Sequence, residues 1–343
     1  MAHRSVILCD MASTWSTPTI GPAPVPDVAA LRTRFAASAS VLGLRRVHAV
    51  LPPNRLGIGI GRGIIASVMA TFGPTLPGTR ITPVRSEGVR GEWVRAAGVE
   101  HGSRAIYYIH GSGYVVCSAR THRGLASRLS RLTGLPVFLV DYRLAPEHRF
   151  PAAAQDVEAG YRWLLAHGYH AEDLVIGGDS AGGHLALDLL LENLRSETSQ
   201  PAGVFVFSPL VDVTLGLAER QDRLRPDPMA PAWVGKRLLE LYTVGQPPDS
   251  PRLRLAVPPG AKLPPMLVQA SAGEMLSGDA RAWHSMITTA GGRCELELWP
   301  GRIHVFQALP LLVPEAVPAL RRAADFVKSA LAQADTTART KVS

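Results

Sequence analysis

Lysine is nearly missing from this 343-residue sequence: of its 36 basic residues only those at positions 236, 262, 328 and 341 are lysine, and the rest are arginine. The arginines are scattered singly or in pairs, with no basic run and no basic stripe interleaved with aromatics. A formal charge of +8 and a pI near 9.8 therefore do not amount to a nucleic-acid surface, and no nucleic-acid partner is expected. Cysteine is scarce too. Cys9, Cys117 and Cys294 are odd in number, far apart and without a C-x-x-C pair, which excludes a disulfide framework and offers no zinc site; we read them as reduced, packed thiols. Long apolar runs are absent as well. The N-terminal stretch Val6-Ile7-Leu8-Cys9 is too short for a signal sequence, and no segment approaches the roughly 18 uninterrupted apolar residues of a membrane span. The expectation is a soluble chain without stable membrane insertion, cytoplasmic or associated with the cell envelope without a recognisable signal peptide.

What is present is a core-building composition: 46% hydrophobic residues, 19% charged and a mean hydropathy of +0.10, enough for one large domain or two small ones. Its organising stretch is Gly178-Asp179-Ser180-Ala181-Gly182, placed after the apolar run Leu174-Val175-Ile176 and before a helical pattern from Ala181 to Leu194. A strand that enters a helix through Gly-x-Ser-x-Gly is a nucleophile elbow. The turn leaves no space for side chains at its flanks and pushes the Ser180 hydroxyl out above the sheet edge.

Residues 1–79 are proline-rich and lack strand alternation, with one helical pattern from Asp27 through Leu42. Gly57-Ile58-Gly59-Ile60-Gly61-Arg62-Gly63 in this segment fits no register of G-x-G-x-x-G and follows no strand, so it is not a dinucleotide loop. Its glycines are expected instead to let Ile64, Ile65, Val68 and Met69 lie close to another element, at a substrate entrance. From Arg80 onward, short apolar runs alternate with helical patterns, as in a mainly parallel sheet covered on both faces. Eight strands are predicted: 81–84, 89–94, 105–109, 137–140, 174–176, 204–207, 266–270 and 294–298. Helices are expected at 121–132, 152–165, 181–194, 279–290 and 315–331, with a frayed tail from Ala332 to Ser343. The alternation breaks over 213–250, which reads as an inserted element that joins 1–79 as a helical cap on a catalytic domain of 80–343.

Three further loops follow predicted strands and face the same sheet edge. Tyr107-Tyr108-Ile109 leads into His110-Gly111-Ser112-Gly113-Tyr114, a turn able to aim backbone N–H groups at a developing oxyanion. Donors of that kind are each worth roughly 3 to 4 kcal/mol when lost. The N–H groups of Ser112, Gly113 and Ala181 are the oxyanion-hole candidates. Downstream, Glu274 and His304 each sit just beyond a strand, which gives the chain order Ser, acid, His of α/β-hydrolases. Glu274 is preferred to Asp279 as the acid, because Asp279 stands at a helix start, where a carboxylate is a common stabilising choice. A lone histidine reads as structural, and its position after the acid is what makes His304 the general base. His110 reads as a support of its loop, and His184 as a packing residue.

These stretches, with Asp141-Tyr142-Arg143-Leu144-Ala145-Pro146-Glu147-His148-Arg149-Phe150-Pro151-Ala152, Glu274-x-Leu276-x-x-Asp279 and His304-x-Phe306, resemble the hormone-sensitive lipase family of α/β-hydrolases, in its bacterial esterase branch, over about residues 80–330. The resemblance implies an α/β-hydrolase fold, with a mostly parallel eight-stranded sheet, helices on both faces and a helical cap. It implies a serine carboxylic-ester hydrolase acting on short- to medium-chain acyl esters, with catalytic Ser180, Glu274 and His304. No metal and no organic cofactor is needed. Tyr114, Trp233 and Phe306 are the pocket candidates, and Arg143 and Glu147 are expected to pair beneath the active edge. Two departures stand out: the family usually has Gly at Ser112 and Asp at Glu274. Ser112 is expected to narrow acyl tolerance, while Glu can serve as the acid because the role needs a carboxylate within hydrogen-bond reach. The expected partner is a small-molecule ester, with a homodimer left open. Deacetylase, amidase or acyltransferase chemistry by the same mechanism, and a non-catalytic ligand-binding scaffold, are the alternatives.

Overall fold

The computed structural model describes Leu31 and residues 54–111, 113–227 and 231–342. The helix expected from Asp27 to Leu42 lies outside these residues, apart from Leu31, which is helical and exposed, and so do Cys9 and Ser112. The first long element described is helix α1 (Arg55–Phe72), capped by the Asn54 side chain, which accepts the Gly57 N–H at 2.9 Å. Its glycines serve less than expected: a methyl group at Gly59 or Gly63 would meet nothing within 4 Å. Among the described residues α1 is the one helix long and apolar enough to cross a membrane, with a mean hydropathy of 1.2. Arg62 breaks that apolar stretch and fastens α1 to the domain by donating to the carbonyls of Val115 and Ala145 and to both oxygens of Glu147.

All eight predicted strands are present: β1 (Arg80–Ser86), β2 (Val89–Arg95), β3 (Ala105–Ile109), β4 (Val137–Val140), β5 (Leu174–Asp179), β6 (Gly203–Phe207), β7 (Met266–Ser271) and β8 (Cys294–Trp299). They form one sheet in the order β1-β2-β4-β3-β5-β6-β7-β8. β1 and β2 form a hairpin, β2 runs antiparallel to β4, and every other pairing is parallel. The interior strands carry no polar face, because both faces are covered. Ile106, Tyr108, Val175 and Phe205 pack under α2 (Ala119–Thr133) and α8 (Ala316–Val342). Their neighbours Ala105, Tyr107, Ile176 and Val204 pack under α3 (Ala152–Ala166), α4 (Ser180–Arg195) and α7 (Ser277–Thr289).

The interrupted stretch 213–250 carries α5 (Gly216–Leu224) and α6 (Ala232–Thr243). The C-terminal tail differs from the expectation: the helical backbone of α8 runs on to Val342. The Arg143–Glu147 pair does not form. Arg143 makes a two-pronged bond to Asp156 on α3, with contacts from 2.8 to 3.0 Å, while Glu147 is taken by Arg62. Parallel pairing sends β3, β5, β6, β7 and β8 out at the same edge, so the loops that follow them share one end of the sheet.

Candidate active site

At the end of β5 the chain turns directly into α4, and Ser180 sits in the turn with φ of +52°, left-handed backbone that a non-glycine residue adopts only when its surroundings force it. The force is visible at both flanks. A methyl group on Gly178 would lie 2.6 Å from the Gly182 carbonyl oxygen, and one on Gly182 would collide with the carbonyls of Ile109 and His110. Ser180 opens α4, so the N–H groups of the first turn, Ala181 among them, have no partner within the helix.

His304 lies beyond β8 with its imidazole between two partners. Its Nε2 is 3.0 Å from Ser180 Oγ and its Nδ1 is 2.7 Å from Glu274 Oε2. Glu274 is fully buried, and its other oxygen accepts the Ser271 N–H at 3.0 Å. With Nδ1–H donating to the carboxylate, Nε2 is left to accept the Ser180 hydroxyl proton. Burial by itself would lower the His304 pKa, but the charge and hydrogen bond of Glu274, with the charges of Asp227 and Asp179, outweigh it and hold the imidazole above its ordinary value. Ser271 Oγ also donates to the Arg302 carbonyl at 2.6 Å, which ties the loop after β7 to the loop that carries His304.

Asp279 does something else. Its Oδ1 accepts the N–H groups of Val211 and Asp212, each at 2.8 Å, and so fixes the loop after β6. That loop is joined to the elbow by the Leu210 N–H, which donates to the Ser180 carbonyl at 3.0 Å. Burial pushes the Asp279 carboxyl up to about 7.

Asp179 escaped the sequence reading, although it stands inside the elbow motif. It is buried, accepts the Tyr108 hydroxyl at 2.9 Å and lies 3.3 Å from His122 Nε2. Burial acts to raise its pKa, yet the His122 charge and the hydrogen bonds from His122, Tyr108 and the Gly111 amide hold it below the usual carboxylate range. The carboxylate thereby clamps Gly111 to the elbow. His110 supports the same loop from below: its ring stacks on Tyr142, whose hydroxyl donates to the His110 carbonyl at 2.7 Å. Burial, joined by the charge of His122, pushes His110 down to about 4, so it is neutral at ordinary pH. His184 is buried likewise and bonded to the Leu253 carbonyl at 3.1 Å.

A cavity of about 210 Å³ opens over Ser180 and His304. Gly113 and Ala181 line it beside Ser180. Its walls are aliphatic: Ile65, Val68 and Met69 from α1, Leu238 and Leu239 from α6, and Leu210 from the loop after β6. The three aromatic pocket candidates are not among the lining residues. Tyr114 is buried with its ring stacked on Tyr242 at 4.1 Å, and Phe306 packs against Trp299 at 5.6 Å. Trp233 falls on the outward side of α6, opposite Gly235 and Leu239, and is 44% exposed. Sequence offered no register from which to tell which side of these turns would face inward.

The α/β-hydrolase-fold family model matches residues 106–308, more than half of the chain. The chain is 31% identical over 327 residues to the carboxylesterase/phospholipase LipF of Mycobacterium tuberculosis, covering 90% of this chain and 83% of that protein. It is 34% identical over 239 residues to an acetyl-hydrolase of Streptomyces hygroscopicus, covering 70% and 79%. The crystal structure of an esterase from the bacterial hormone-sensitive lipase family superposes with a TM-score of 0.77 at 32% identity, covering 86% of this chain and 98% of that one. Fold, loop order and these similarities agree: the chain belongs to the bacterial hormone-sensitive lipase family of α/β-hydrolases and is an ester-bond hydrolase of the carboxylesterase type.

Proposed function

We propose that the chain cleaves short- to medium-chain acyl esters through an acyl-enzyme on Ser180, with His304 as general base and Glu274 as the acid that orients it. The observation that carries this reading is the unbroken line of contacts from Ser180 Oγ to His304 Nε2 and from His304 Nδ1 to Glu274. Ser180 Oγ attacks the ester carbonyl while its proton passes to His304 Nε2. The resulting oxyanion is held by the N–H groups of Ser112, Gly113 and Ala181. His304 returns the proton to the departing alkoxide, which leaves as alcohol. Water then attacks the acyl-enzyme by the same route, giving its proton to His304 and finally restoring the Ser180 hydroxyl as the carboxylic acid departs. The Glu274 carboxylate fixes the productive tautomer and stabilises the imidazolium, and its extra methylene relative to Asp is accommodated by the Ser271 N–H bond at its second oxygen.

The size and chemistry of the cavity support the acyl preference. At about 210 Å³ it falls below the roughly 300 to 1,000 Å³ of pockets that take drug-sized ligands. Its aliphatic walls favour an uncharged chain, and resemblance to an acetyl-hydrolase points to short acyl groups. Segments 1–79 and 213–250 act as the cap that bounds it, in keeping with the cavity walls contributed by α1 and α6.

A p-nitrophenyl ester series from acetate to palmitate, run on wild type, Ser180→Ala and Glu274→Gln, tests the proposal. Wild type is expected to favour short to medium chains, and Ser180→Ala to lose a factor on the order of 10⁴ or more in kcat. Substantial turnover by a folded Ser180→Ala would overturn the mechanism, and a palmitate optimum would overturn the acyl preference. The matching anilides separate ester from amide cleavage.

A further inference from the structure

The inserted stretch 213–250 touches more than the pocket. Arg225 lies across Gly273, where an added methyl group would stand 3.0 Å from the Arg225 Nε. Two residues on, Asp227 is buried, and its Oδ2 accepts the N–H of Met275 at 2.7 Å, the peptide immediately after Glu274. The Asp227 N–H is in turn accepted by Asp222 Oδ1 at 2.8 Å, and Asp222 Oδ2 accepts the Ala232 N–H at 3.1 Å, at the start of α6. Further along α6, Leu238 is the first atom group that a methyl on Gly113 would meet. One chain of contacts thus runs from the loop of the acid, through two carboxylates of the insertion, to the helix that covers the loop of Gly113.

We propose that Asp227 is a positioning residue for the hydrolysis: it fastens the insertion to the Glu274 loop, so that seating the insertion over the pocket also sets the surroundings of His304. The inference rests on the assignment of His304 as the general base. Two things follow from the latch. The Glu274–Met275 peptide is held from outside the loop, which fixes the carboxylate under the imidazole. A buried negative charge from the insertion is also added to that of Glu274. The charged groups facing His304 are Glu274 from the loop after β7, Asp227 from the insertion and Asp179 from the elbow, all acting to raise its pKa. Arg225 packs against the Glu274 loop, and Arg302, two residues before His304, is paired with Glu315 at 3.5 Å. Lifting the insertion removes Asp227, leaves the Met275 N–H without this acceptor and makes His304 a weaker base.

The test is the pH profile of kcat/KM on p-nitrophenyl butyrate for wild type, Ser180→Ala, Asp227→Asn and Asp227→Ala, with thermal melts to show that each is folded. Asp227→Asn keeps an oxygen for the Met275 N–H and removes the charge. Its acid limb is expected to move to lower pH by roughly half a unit, while kcat on the plateau stays within a few-fold of wild type. Asp227→Ala removes the acceptor too, and its plateau kcat is expected to fall on the order of 10- to 100-fold, with a smaller change in KM. If Asp227→Ala does not fold, Asp227→Asn carries the test alone. An acid limb in Asp227→Asn that superposes on wild type overturns the latch and leaves the Ser180 mechanism standing, provided Ser180→Ala is inactive. An active Ser180→Ala overturns both.

Discussion

At the elbow, Gly178 and Gly182 stand where even a methyl group would strike backbone, whereas Gly59 and Gly63 on α1, which helps to wall the same cavity, face open space. The first pair is demanded by geometry and the second is tolerated by it. The same contrast separates the two parts of the molecule. Loops at the sheet edge are fixed by close backbone approach and by buried carboxylates with several donors, as at Asp179, Glu274 and Asp279. The pieces above them are fastened at a few polar points, Arg62 for α1 and Asp227 for the insertion, with aliphatic contacts between. The contacts among Ser180, His304 and Glu274 thus lie on the first part, and much of the aliphatic cavity wall lies on the second.

Gly182→Ala attacks the rigid side directly. The added methyl would have to displace the Ile109 and His110 carbonyls, with an expected loss of about 3 kcal/mol or more in denaturant unfolding and of most activity. A variant with wild-type stability would break the comparison.

Asp279→Asn probes a buried carboxylate of the same rigid part. The Asp279 pKa is raised from about 3.9 in the unfolded chain to about 7 in the fold by burial. The unfolded state therefore gives up this proton first. The contribution of Asp279 to stability is full below about pH 4 and is lost as pH rises towards 7, by up to a few kcal/mol. The asparagine keeps an oxygen for the Val211 and Asp212 N–H groups and does not ionise. Its stability relative to wild type is expected to improve steadily across that pH window, and a difference independent of pH would contradict the assignment.

On the variable side, Leu238→Ala widens the cavity beside Gly113. The ratio of kcat/KM for octanoate to that for acetate is expected to rise about tenfold, the scale of one or two methylene contacts. An unchanged ratio would remove Leu238 as a specificity wall. Smallest is Gly59→Ala, expected to raise stability by roughly 0.5 to 1 kcal/mol, because a helical glycine in open space gains from a methyl group. A loss would show that α1 is packed more tightly than its contacts indicate.

The eight strands were legible in the sequence because each follows from a local pattern, as does the elbow at Ser180, whereas Glu274 and His304 were read from their order along the chain. Alternating apolar runs mark the strands, and in Gly-x-Ser-x-Gly the glycines record the tightness of a single turn. The preference for Glu274 over Asp279 matches their surroundings, since one carboxylate meets the imidazole and the other two backbone amides. What stayed hidden depends on tertiary register. Tyr114, Trp233 and Phe306 are each next to cavity-lining residues, yet one position along a turn reverses the direction of a side chain. Arg143 and Glu147 sit four residues apart in one loop but choose Asp156 and Arg62, partners from two different helices. Asp227 stands between Pro226 and Pro228 in the sequence, and nothing local announces that its carboxylate reaches the peptide after Glu274.

The central claim is that Ser180 carries the acyl group, and the most direct test is covalent. Diethyl p-nitrophenyl phosphate would be added in substoichiometric steps, with residual esterase activity and the modified peptide read at each step by mass spectrometry. The account predicts a single diethylphosphoryl group on the peptide containing Ser180, with activity falling in proportion to its occupancy. Inactivation with the label on another residue, or a fully labelled Ser180 in a protein that still turns over esters, would contradict it.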